Sequence, residues 1–81
     1  MSAVVYAYKP TPEALARLRN DPHVPMPREI HVHADGHAVA TYEDHGDMHF
    51  TSLFGLLDYH GLRQRDLFSA DPCFGYRESR V

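Results

Sequence analysis

The chain has 81 residues, of which 43% are apolar and 23% charged, with a formal charge of −3 when its histidines are neutral. That length supports one core and excludes a second domain, so residues 1–81 are expected to fold as a single unit, and the apolar content excludes disorder. A single cysteine, Cys73, excludes an internal disulfide, a zinc ribbon and a CxxC redox pair.

No stretch approaches the roughly 18 apolar residues that a membrane span needs, and Met1 to Tyr8 lack the pattern of a signal peptide, so a cytoplasmic protein with no membrane partner is expected. Residues 1–40 carry four cationic and four acidic side chains, whereas residues 41–81 carry four and seven. An acidic second half argues against direct nucleic-acid binding, which draws its affinity from clustered Lys and Arg.

In chain order, Val4 to Tyr8 form a β-branched and aromatic run that predicts a first strand, closed by Lys9-Pro10. Thr11 as N-cap, Pro12 at the first helical position and Glu13 at the positive end of the dipole then predict a helix. Its apolar stripe is Ala14, Leu15 and Leu18, and Asn20 to Pro22 stops it. Pro22, Pro25 and Pro27 make an irregular loop.

Glu29 to Ala34 alternates, Asp35-Gly36 tolerates positive φ, and His37 to Glu43 continues as a strand, which predicts a two-residue hairpin. That turn pairs Ala34 with His37, His33 with Ala38, Val32 with Val39, His31 with Ala40, Ile30 with Thr41 and Glu29 with Tyr42. Ile30, Val32 and Val39 would then face the core. Glu29, His31, His33, Ala38, Ala40 and Tyr42 would share the other face, where alanines let another backbone approach and where homodimer contact, partner binding and solvent exposure are all open.

After a polar loop, Asp44 to Asp47, the segment Met48 to Phe50 leads to an N-cap at Thr51 or Ser52, and Leu53, Leu56 and Leu57 predict a second helix to His60 with Gly61 as its C-terminal cap. Arg63 to Asp71 carries no element, Asp71-Pro72 is a turn, and Cys73 to Arg77 predicts the last strand. The order strand, helix, strand, strand, helix, strand predicts an α+β domain with an antiparallel sheet, two helices on one face and a ferredoxin-like βαββαβ layout.

The run His31-Val32-His33-Ala34-Asp35-Gly36-His37 resembles the HxHxDH ligand run of metallo-β-lactamase-like hydrolases, but Gly36 separates the Asp from the last His and the Asp-Gly pair serves as the turn. His31 and His33 project together from one face, and in the expected register they meet alanines across the strand, so a metal site would need a partner chain or a distant loop. No nucleophile motif, phosphate loop or other catalytic pattern is present, no cofactor is implied, and a non-enzymatic role is expected.

The carboxylates Glu43, Asp44 and Asp47 cluster after the hairpin and, with Tyr42 and Glu29, form the expected partner-binding surface, where charge complementarity would steer association with a basic protein. In size, acidity and lack of catalytic motifs the chain resembles the small inhibitors encoded by phages and mobile elements, anti-CRISPR proteins among them. The resemblance implies an inhibitor that docks on a CRISPR effector complex. The alternative is a small oligomeric metal- or ligand-binding domain using His31 and His33.

Overall fold

The computed structural model describes residues 3–20, 25–68 and 75–80. In chain order the elements are β1 (Val4–Pro10), α1 (Pro12–Arg19), β2 (Glu29–His33), β3 (Ala38–Tyr42), β4 (Gly46–Phe50), α2 (Leu53–His60), α3 (Gln64–Phe68) and β5 (Tyr76–Arg80). The five strands form one sheet in the order β4-β3-β2-β1-β5, with every neighbouring pair antiparallel. The α+β class is therefore as expected, while the strand order departs from the ferredoxin-like one. A split βαβ unit needs parallel strands around its helix, yet β1 and β2, which flank α1, pair antiparallel.

Local signals act where the sequence places them. Thr11 caps α1 by accepting the Ala14 N–H at 3.2 Å, Pro12 opens the helix, and Asn20 closes it. Ala14 is buried, Leu18 half-buried and Leu15 exposed, so the expected stripe is only partly covered. Ser52 caps α2 by accepting the Gly55 N–H at 3.2 Å. Gly61 ends it at φ 68°, and the Leu62 N–H donates to the Leu57 carbonyl at 2.8 Å, the bond that lets Leu62 fold back onto the core.

Register is where the structure corrects the sequence. The first hairpin pairs Val32 with Ala38, His31 with Val39, Ile30 with Ala40 and Glu29 with Thr41, one residue away from the expected pairing. A two-residue type I′ turn demands positive φ at both central residues, but no residue other than glycine has positive φ among those described, and of Asp35 and Gly36 only Gly36 does, at 93°. Asp35 stays in the ordinary region and its carboxylate accepts the His37 N–H at 3.0 Å. The Gly36 N–H donates to the His33 carbonyl at 2.9 Å and the His33 N–H to the His37 carbonyl at 3.0 Å, which gives a three-residue loop, Ala34 to Gly36.

A slip of one residue exchanges the two faces of β3. Ala38, Ala40 and Tyr42, expected on the outer face, join Ile30 and Val32 in the core, and Val39 turns to the second face. The core packs Tyr8, Ile30, Ala38, Ala40 and Tyr42 of the sheet and Tyr76 of β5 against Leu56, Leu57, Leu62 and Leu67. Ala38 and Ala40 are fully buried, so the close backbone approach they permit is used inside the molecule, by α2 packing on β3.

Two elements were not expected. Gly46–Phe50 forms the edge strand β4, in which Asp47 and His49 alternate with Met48 and Phe50, and Gln64–Phe68 forms α3, entered with the Arg63 N–H donating to Asp66 Oδ2 at 2.8 Å. The expected helix stop at Pro22, the turn at Asp71-Pro72, and Cys73 and Phe74 of the last predicted strand lie outside the described residues. Among those described, no helix is long and apolar enough to cross a membrane.

Candidate functional site

The turn from β3 to β4 and the end of α2 meet around a cleft of about 230 Å³ lined by Pro25, Tyr42, His45, Met48, Tyr59 and His60. Its polar floor is one pair: the Tyr42 hydroxyl and His60 Nε2 lie 2.5 Å apart. His60 also bonds the Pro25 backbone, which leaves Nε2 as the acceptor and the phenol as donor. Burial holds both groups neutral, pushing Tyr42 up to about 12 and His60 below the usual imidazole value against the opposing Pro25 bond.

The rim of the cleft is apolar and exposed. Tyr59 is 62% and Met48 36% accessible; Phe54, in the first turn of α2 and outside the cleft lining, is 61% accessible. Beside it the side chains of Glu43, Asp44 and Asp47 all reach solvent, as expected of the acidic loop, with Asp47 now on the edge strand. Tyr42 does not join them as a surface group: it is 7% exposed and points into the core because of the register slip. Glu29 lies on the second face, where its carboxylate meets His31 Nε2 at 2.8 Å and Lys9 Nζ at 3.4 Å. The His31 bond first, and the Lys9 cation after it, hold Glu29 below the ordinary carboxylate range.

The same slip gathers histidines on that second face. His33 lies opposite His37 instead of Ala38, and their rings stack with centroids 4.1 Å apart and planes 11° from parallel. The ring of His49 follows at 6.3 Å from that of His37, whose Nδ1 also meets the Asp35 carboxylate. Imidazole lone pairs lie in the ring plane, so stacked rings send them side by side, away from a common point. Among the described residues no three His, Cys, Asp or Glu side chains are arranged to hold a metal ion.

One signal bearing on the site lies in plain sequence and was missed. No Lys or Arg occurs between Arg28 and Arg63, a stretch that holds six carboxylates, Glu29, Asp35, Glu43, Asp44, Asp47 and Asp58. That stretch builds β2, β3, β4 and α2, while the opposite edge, β5, presents Arg77 and Arg80 to solvent. The sheet thus has one edge, β4, that carries a carboxylate and no Lys or Arg, and an opposite edge, β5, that carries Arg77, Glu78 and Arg80.

Fold and site define a small α+β domain, an antiparallel sheet with α2 and α3 packed on one face and an apolar cleft beside its acidic edge. No family model, curated protein or solved structure matches the chain.

The pair at the cleft floor predicts a pH dependence. A group buried neutral binds fewer protons folded than unfolded, so the stability it contributes is full above the unfolded imidazole value and is lost as pH falls toward the depressed folded one. From pH 7.5 to 5.5 the melting temperature of the wild type is expected to fall more steeply than that of His60→Gln, which keeps an acceptor for Tyr42 and does not titrate. Parallel melts check this, and equal slopes would remove His60 from the account.

Proposed function

We propose that the chain is a non-enzymatic protein-binding module that docks its acidic, aromatic-edged surface on a basic partner protein, in the manner of the small phage and mobile-element inhibitors. What supports the reading most is one juxtaposition: exposed Met48 and Tyr59 edge a cleft that also takes in His45, from the turn that bears exposed Glu43 and Asp44, with exposed Asp47 following on β4, in a stretch of sequence from Glu29 to Leu62 without a Lys or Arg. Apolar anchors with a charged rim are the anatomy of a recognition surface, in which the anchors supply affinity and the rim steers encounter. The cleft is smaller than the roughly 300 to 1,000 Å³ that small-molecule sites occupy, and so suits one side chain of a partner. A basic surface of this kind is found on proteins that hold nucleic acid, CRISPR effector complexes included, and the module would act where they do, in the cytoplasm.

The test uses the chain as bait in its native host, side by side with a variant carrying Glu43→Gln, Asp44→Asn and Asp47→Asn. A partner retained by the wild type is expected to bind the variant about tenfold more weakly, about 1.4 kcal/mol, with slower association and a weaker dependence on salt. Melting temperature should barely move, because all three side chains are exposed. Equal affinity of both forms for that partner would refute the acidic surface as its docking site.

A further inference from the structure

Among the described residues β4 has no strand on its outer side, and its outward hydrogen-bonding groups can be assigned. The His33 N–H bonds the His37 carbonyl, so by the alternation of an antiparallel ladder the backbone groups of Val39 and Thr41 point toward β2 and those of Ala38, Ala40 and Tyr42 toward β4. On β4 the inward groups therefore belong to Gly46, Met48 and Phe50, and the N–H and C=O of Asp47 and His49 face outward. The side chains alternate the other way: Met48 stands on the core face as a wall of the cleft, and Asp47 on the second face.

We infer that β4 receives an extended basic segment of a partner protein as a sixth strand of the sheet, antiparallel to β4. The inference rests on the protein-binding reading above and names its mode. The added strand takes the outward groups of Asp47 and His49. A residue of that strand facing the core side lies beside Met48, where an apolar side chain enters the cleft against Tyr59. Its neighbours face the second side, where cationic side chains run beside Asp47 and on toward the turn bearing Glu43 and Asp44. Charge selects this occupant: an acidic segment would meet carboxylates with no Lys or Arg on β2, β3, β4 or α2 to offset them. Strand addition draws affinity from the backbone and specificity from alternate side chains, and an edge strand of five residues supplies both in a short span.

The probe is the synthetic peptide Lys-Thr-Lys-Leu-Lys-Thr-Lys, which places lysines on one face and a central leucine on the other. Titrated into isotope-labelled protein, it is expected to shift amide signals of Gly46–Phe50, Tyr59 and His60 and to slow amide exchange at Asp47 and His49. N-methylating the two lysines that flank the leucine, whose N–H groups point at β4, should weaken binding at least tenfold. N-methylating the leucine, whose N–H points away, should leave it unchanged, and Tyr59→Ala should weaken binding several-fold. No saturable binding below millimolar peptide, equal losses from both methylation patterns, or shifts centred on β5 would overturn the inference. So would slow exchange at Asp47 and His49 in the free protein with concentration-dependent dimerisation, since the edge would then be held by a second copy. Loss of peptide binding in the triple carboxylate variant without any effect of methylation would leave the protein-binding reading standing and reject strand addition alone.

Discussion

Replacing Ile30 with alanine is expected to lower unfolding stability by about 2 to 5 kcal/mol, the range for deleting a fully buried aliphatic side chain whose site closes only in part. Ile30, the second residue of β2, is completely buried in the cluster that joins the sheet to Leu56, Leu57 and Leu67. An 81-residue domain has on the order of 4 to 12 kcal/mol in total, so this one change removes a large share. Chemical denaturation measures it through the midpoint at constant slope. A loss under about 1 kcal/mol would mean that the cluster is not the core.

Gly36→Val is the second large effect, about 1 to 3 kcal/mol of destabilisation, because a β-branched residue at φ 93° is strained whatever space surrounds it. A Cβ at Gly36 would meet nothing within 4 Å, so the loss belongs to the backbone alone. Ala40→Val separates the two registers. In the observed one a fully buried alanine under α2 is overpacked, at a cost of about 1 to 3 kcal/mol, while on an outer face the same change would be close to neutral. A denaturation midpoint unchanged in both variants would sink the hairpin as described.

Thr11, Pro12, Ser52 and Gly61 announced two helices correctly because caps and positive-φ positions are local chemistry. Asp35-Gly36 marked the turn but not its length, since Asp-Gly serves both loop types and the choice depends on whether Asp35 takes positive φ. From that single residue of slip came every error about faces: Tyr42 assigned outward, Val39 inward, and His33 set against Ala38 when it stacks on His37. β4 was hidden by its brevity. Met48 and Phe50 alternate with Asp47 and His49, but five residues running into a helix cap gave too short a period to separate from a loop. The acidic loop was legible as charge, whereas the cleft beside it was not, because Pro25, Tyr42 and His60 meet only through the tertiary fold.

The lopsided placement of cations also decides how the molecule can be handled and tagged. Lys9 is the one lysine in the chain; it sits on β1, three strands away from β4, with its side chain 60% accessible despite the contact with Glu29. An acylating enzyme that selects lysine side chains therefore reaches the folded sheet at that point alone and leaves the acidic edge unmodified. Trypsin meets the opposite situation: with no cleavable bond between Arg28 and Arg63, β2, β3, β4 and α2 leave the digest as one continuous peptide, carrying the whole cleft rim except Pro25.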